Sequence, residues 1–505
     1  ESVLPSLDDA LADVRGRLGE TMAAVSADRV PLEHATTPNI EALRAFSLGT
    51  AARIKGQAGD AEALFREAVR LDPGFAMAWL RLAFLRYVEG DEAGTREFLG
   101  QAQAHRDRLT RRELLFMEAA EATLDDAPRA VERFRLLASL YPDDYRGRYN
   151  AGFFAHFDLL RSAEAREVMV GTDVPQNPQR ASAVYMSAAA ELATGDAPAA
   201  ISLFEKAVTL GVRGSLREFI DAHSSLRQYD KARRIAEQQT SVGLPAQDLE
   251  SRTYEASLPL DQGDWKGARD ALAGLRADGV DAGVSVFALG KIDLMALSLR
   301  AYAPDDGFGA DLRTWAAAEK AAYETSNAMN RREYIFRLLA GAWMAAHTGD
   351  VEHARALLAL VADDPQARVY PFNASMARVV EAEIALAEGR AADAIARLSF
   401  DSSEGEEIYF SRAVLLRALV AAGDRKQAQR VAGWLADNRA MAFGEPTYTR
   451  GWQLANVAES NLALAALARL AEPGSDEAEK ARHAFAKAWP EASSSPEVAR
   501  RDALY

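Results

Sequence analysis

The stretch Ala76-Met77-Ala78-Trp79-Leu80-Arg81-Leu82-Ala83-Phe84-Leu85-Arg86-Tyr87-Val88-Glu89-Gly90-Asp91-Glu92-Ala93-Gly94-Thr95-Arg96-Glu97-Phe98-Leu99-Gly100-Gln101-Ala102 decides the fold. Its first half sets Trp79, Leu82 and Ala83 on one helical face, a large–large–small group. Gly90-Asp91 then breaks the pattern, because glycine accepts the left-handed backbone that closes a helix and aspartate caps the next one. Thr95, five positions after the glycine, is small enough for two antiparallel helices to approach closely. The stretch therefore predicts a helix, a tight turn and a second helix.

The same signature recurs along the chain. The small residue five positions after each turn is Ala61, Thr95, Ala130, Ala165, Ala200, Ala232, Ala268, Ala354, Ala394 and Ala428. Successive spacings are 34, 35, 35, 35, 32, 36, 86, 40 and 34. Gly-Asp turns return at Gly195-Asp196, Gly263-Asp264, Gly349-Asp350 and Gly423-Asp424. A large apolar residue follows four positions after the small one at Phe65, Phe134, Phe204 and Leu272, on the same face. Pro73 and Pro142 stop second helices. A period near 34 is that of the tetratricopeptide (TPR) unit, and Phe65-Arg66-Glu67-Ala68-Val69-Arg70-Leu71-Asp72-Pro73 is similar to that family's second helix.

The expected fold class is all-α: a right-handed α-solenoid of about twelve TPR-like helix-turn-helix repeats. Repeats are expected over residues 39–278 and 331–490, the last pair at 448–470 and 476–489, with a tail at 491–505. The spacing of 86 is read as a lengthened repeat at 279–330 carrying an inserted loop, rich in Pro, Asp and Gly, near 303–311. Val284 to Phe287 is the one run with strand character, and helix is preferred because nothing nearby would pair with it. Residues 1–38 are expected to form a leading amphipathic helix, with Leu4, Leu7, Leu11, Val14, Leu18, Met22 and Val25 on one face, and a linker.

Composition narrows the function. Lys plus Arg number 59 and Asp plus Glu 74, a net charge of −15 that disfavours general nucleic-acid binding. The absence of cysteine removes disulfides, thiolate nucleophiles and cysteine zinc sites, and suits a periplasm as well as a cytosol. No charge-free run of 18 apolar residues spans a membrane, and no signal peptide opens the chain. The chain begins at Glu1, and is read as a portion of a longer protein.

The segments Arg17-Leu18-Gly19-Glu20, Pro31-Leu32-Glu33, Ala35-Thr36-Thr37-Pro38, Glu41-Ala42-Leu43 and Phe46-Ser47-Leu48-Gly49 carry a further resemblance. Together with Arg106-Asp107-Arg108-Leu109-Thr110-Arg111-Arg112-Glu113, they resemble the C-terminal TPR region of multidomain bacterial signalling proteins. In those, a serine/threonine kinase, nucleotide cyclase or winged-helix module comes first and a membrane helix often follows. The resemblance covers residues 4–142. It implies a sensing or docking arm on the periplasmic side of an inner-membrane parent, with the cytoplasm as the alternative. No kinase or cyclase motif is present to carry over.

No catalytic constellation is found: GxxxxGK[ST], GxGxxG after a strand, HExxH and GxSxG are all absent. His347 and His353 are six apart, not the spacing of a helical metal pair. Asp305, Asp306 and Asp311 lack the EF-hand pattern and read as a solvated loop. Arg106, Arg108, Arg111 and Arg112 read as an inter-helix junction rather than a phosphate site. No enzyme activity, cofactor or metal is therefore expected.

The working surface is expected to be the concave groove lined by first helices. Counting from the turns, it takes Met77, Leu80, Phe84 and Tyr87, then Asn150, Phe154 and Phe157, then Tyr185, Phe336 and Trp343. Positions where chaperone-binding TPR proteins hold a carboxylate carry Phe46, Thr50, Leu80 and Phe84 here, so that clamp is missing. A protein or peptide partner held by aromatic anchors rather than charge is the expected ligand. The alternative is a small-ligand sensor, marked by convergent polar groups beside 279–330.

Overall fold

A computed structural model describes residue 13 and residues 37–398, 407–446, 451–490 and 496–497. The expected leading helix lies outside them. The described residues form an all-α repeat of TPR-like helix pairs. The pairs are Ile40–Ile54 with Ala58–Leu71, Ala76–Val88 with Glu92–Ala104, Arg111–Asp125 with Ala127–Leu140, and Tyr145–Leu159 with Ser162–Met169. Arg180–Ala193 with Ala197–Thr209, Arg217–Ser225 with Tyr229–Ala236, and Tyr254–Asp261 with Trp265–Asp281 follow. Then come Val286–Ala301 with Phe308–Thr325, Ala328–His347 with Val351–Val361, and Pro371–Ala387 with Ala391–Arg397. Tyr409–Ala421 with Arg425–Asp437 and Gln453–Leu470 with Asp476–Ala488 complete the series.

The turns work as their residues dictate. Gly90 has φ +72°, and the next amide, Asp91 N–H, donates back to the Arg86 carbonyl at 3.0 Å, closing the first helix. The Asp91 carboxylate then accepts from Gly94 N–H at 2.9 Å and opens the second. Asp196, Asp264, Asp350 and Asp424 repeat both steps. Every recurrent alanine of the repeat, from Ala61 to Ala428, has no accessible surface, as close helix approach requires. In the first pair Gly49 extends this rule: a Cβ there would stand 2.8 Å from the Phe65 ring.

Over 279–330 the chain forms one pair of long helices joined by a short loop. Ser285 caps the helix Val286–Ala301, which contains Val286 and Phe287, and Phe308–Thr325 is its partner. The spacing of 86 spans two repeats with unusually long helices, of 16, 18 and 20 residues. The repeat signature fails between them because the fourth position of Phe308–Thr325 is Asp311 rather than a small residue. Arg300 donates to both Asp305 and Asp311 at 2.9 Å, so the acidic loop is a salt-bridged helix junction.

The chain divides into two compact units, one of residues 1–148 and 241–244, the other of 149–240 and 245–505. In the second, the Gln453–Leu470 helix is buried on all sides from Gln453 to Ala463. A helix apolar or enclosed all round belongs to an interior. It packs on Arg425–Asp437 and Asp476–Ala488 as a terminal repeat would, and also on Tyr254–Asp261 and Val286–Ala301. Just before it, the short helix Arg439–Gly444 packs against Arg180–Ala193 and Arg217–Ser225. The last repeat thus lies across the first helices of repeats far earlier in the same unit.

Candidate docking face

Helical spacing places one residue per turn of each first helix on a shared face. In the first unit these residues meet in aromatic–cation contacts between successive pairs. The Arg53 guanidinium lies 5.3 Å from the centre of the Phe84 ring, and Phe84 stacks with Tyr87 at 6.5 Å. Arg81 and Arg146 lie 5.6 and 5.0 Å from the Phe116 ring. Phe84 and Tyr87 remain half-buried. Arg146 is paired with Asp144, Nε to Oδ1 at 2.7 Å, and Glu113 closes a capping box with Thr110. Burial, with Arg146 and Arg53 beside it, holds the Arg81 guanidinium down to about 9.

The basic segment before this helix is structural. Arg108 grips both Asp72 carboxylate oxygens, at 3.0 and 2.8 Å, while Thr37 donates to the same carboxylate. This ties the first pair to the turn before Thr110. Arg112 lies 4.8 Å from the Tyr141 ring. Phe46, at a clamp position, packs on Phe65 and Phe75.

Most other residues assigned to the groove are core. Met77 and Leu80 are buried beneath the same helix, and Asn150, Phe154 and Phe157 are buried in theirs, Phe157 against Met169 and Met186. Tyr185 is half-buried, its ring 4.7 Å from Phe204 and its hydroxyl donating to Glu218 at 3.0 Å. Phe336 and Trp343 have no accessible surface at all. The side of the helix that carries them is covered by the chain itself. Trp452 meets Trp343 edge-on at 5.2 Å and Phe336 at 6.5 Å, Phe410 meets Trp343 at 4.9 Å, and His347 stacks on it at 4.7 Å.

Around this aromatic centre runs a buried polar network that composition and periodicity do not reveal. Arg439 donates to both oxygens of Asp261 at 2.9 Å, to Ser460 at 3.0 Å and to the Ser225 carbonyl at 3.1 Å. Asn461 donates to Asp261 and accepts from Arg227. Gln453 accepts from Arg217 at 2.6 Å and donates to Asp221 and to the Phe443 carbonyl. Tyr302 donates to Glu459 at 2.9 Å. Arg332 bonds Asp158 and Tyr370, and Arg417 bonds Glu383, which also contacts His347. Asn373 is wholly buried and donates to the Arg332 carbonyl. The signal for all this was Gln453, Asn456, Glu459, Ser460 and Asn461 punctuating an otherwise apolar helix.

No family model matches the chain, and no curated protein matches it. Among solved structures it is similar to that of Naa15/Naa10 bound to HypK-THB, with 12% identity and a TM-score of 0.22, over 89% of this chain and 82% of that one. It is also similar to the TPR domain of P58(IPK), with 15% identity and a TM-score of 0.17, over 88% of this chain and 98% of that one.

Proposed function

We propose that this chain is a non-catalytic docking module that holds a segment of a partner protein on the first-helix face of its N-terminal unit. Phe84 and Tyr87 are the anchors. The observation that carries the reading is a contrast between equivalent faces. In the second unit the chain's own Trp452 and Gln453–Leu470 cover the inward aromatics, whereas Phe84 and Tyr87 keep part of their surface uncovered. Stacked aromatics of low side-chain entropy, flanked by arginine, suit hot-spot recognition. On the resemblance to the C-terminal TPR region of bacterial signalling proteins, we place the module as one arm of a larger protein that biases an upstream domain when the partner docks.

The test is selection of short random segments, displayed inside a carrier loop, on the native chain and on a Phe84→Glu/Tyr87→Glu variant with unchanged circular dichroism. Segments retained by the native chain and lost by the variant support the docking face. Equal recovery on both sinks it.

A second reading, a small-ligand sensor, has its own support beside 279–330. Lys291, Glu319, Glu333 and Arg337 converge there, with Lys291 3.8 Å from Glu333 and Arg337 3.5 Å from Glu319. Glu333 Oε2, Glu319 Oε2 and Arg337 Nε are enclosed without a hydrogen-bond partner. A small polar ligand or ordered water would satisfy them. Thermal-shift screening of polar metabolites separates this reading from the first, because Phe84→Glu leaves any such shift intact.

A further inference from the structure

Helical periodicity marks only apolar anchors on the docking face. Arg81 argues otherwise. It sits on Ala76–Val88 one turn before Phe84, the ring that stacks with Tyr87. Its guanidinium packs on Phe116, and its Nε is closed off from solvent without an acceptor. Among the described residues no carboxylate forms an ion pair with it. The nearest acids are engaged elsewhere, Asp144 by Arg146 and Glu113 by the Thr110 cap. Two further guanidiniums, Arg53 and Arg146, crowd the same side, and this crowding with burial is what lowers the Arg81 basicity. A half-buried cation with two like charges beside it, and near it only the Asp144 and Glu113 carboxylates that other groups already engage, is under-compensated, and an arriving anion would relieve that cost.

We infer that this face takes an acidic segment of a partner protein: a side-chain carboxylate seats on Arg81 between Arg53 and Arg146, and an adjacent apolar side chain lies against Phe84 and Tyr87. The inference rests on the docking reading and deepens it. The guanidinium fork matches a carboxylate bidentately, and the neighbouring rings supply the apolar half of the site. A net charge of −15 repels long polyanions such as nucleic acid, which need many phosphate contacts, far more than a segment with one or two carboxylates.

The loop-displayed selection decides the matter, since its segments have no free C-terminus. Expected are segments rich in Asp or Glu beside Phe, Leu or Trp, whose affinity falls about tenfold or more on Arg81→Leu. That variant removes an under-compensated charge crowded by Arg53 and Arg146, so its thermal midpoint should hold or rise, which distinguishes lost recognition from lost folding. Replacing the acidic residues of a selected segment by Asn or Gln should produce the same loss on the native chain. Selected segments that depend on Phe84 and Tyr87 but lack acidic residues, or bind Arg81→Leu unchanged, overturn this inference and leave the docking reading standing. Segments that ignore Phe84 and Tyr87 altogether remove both.

Discussion

Trp343 and Phe84 occupy comparable places on first helices, yet one is enclosed by Trp452, Phe410 and His347 and the other is only half-covered. Trp343→Ala should therefore cost about 3–5 kcal/mol of stability, read from urea denaturation, while binding at the first unit is unchanged. Periodicity selects both residues, because each falls at a comparable position of a first helix. It could not separate them, since the side chain covering Trp343 comes from more than a hundred positions downstream. A buried carboxyl, Asp158, and a half-buried one, Glu445, add a pH dependence. Burial raises Asp158 to about 6 against the opposing pull of Arg332, and raises Glu445 to about 7 against the hydrogen bonds from Tyr409 N–H and Asn456. Folded chain thus binds protons that unfolded chain releases. Their contribution is complete below the unfolded values of 3.8 and 4.5, and is lost as pH rises through about 6 for Asp158 and about 7 for Glu445. Glu445→Gln should flatten the upper part of that window in a plot of Tm against pH. An unchanged slope between pH 5 and 7 would count against the raised affinity of this carboxyl for its proton.

Helix ends were legible because their chemistry is local: a glycine that can turn left and an aspartate that can cap the next helix lie side by side in the chain. The long repeats around 286–347 were less so, because lengthened helices stretch the period and Asp311 stands where a small residue marks the others. The Gln453–Leu470 helix was legible as a helix but not as a filler of its unit. Its enclosure depends on Arg439, whose guanidinium joins it to Asp261, a carboxylate with no accessible surface. Arg439→Met should cost about 3–5 kcal/mol, because Asp261 is then left buried without its principal counter-charge. A double variant that also makes Asp261 neutral, Arg439→Met/Asp261→Asn, should recover part of the loss. Chemical denaturation of the single and double variants measures the coupling, and strictly additive losses would show that the two groups act apart.

Across the whole chain, charge and coverage point to one working surface. The surface is acidic overall, with a net charge of −15, so a cluster of Arg53, Arg81 and Arg146 beside Phe84 and Tyr87 is a local exception to it. Such an exception favours acidic segments at one place and disfavours them elsewhere, which is how specificity is built from repulsion as well as attraction. The most direct test is amide hydrogen exchange on the full chain, with and without a saturating segment from the loop-displayed selection. The account predicts slowed exchange in Ile40–Ile54, Ala76–Val88 and Arg111–Asp125, and unchanged exchange in Ala328–His347 and Gln453–Leu470. Faster exchange in Gln453–Leu470 with Ala76–Val88 unaffected would contradict it, because the partner would then be displacing the chain's own last repeat.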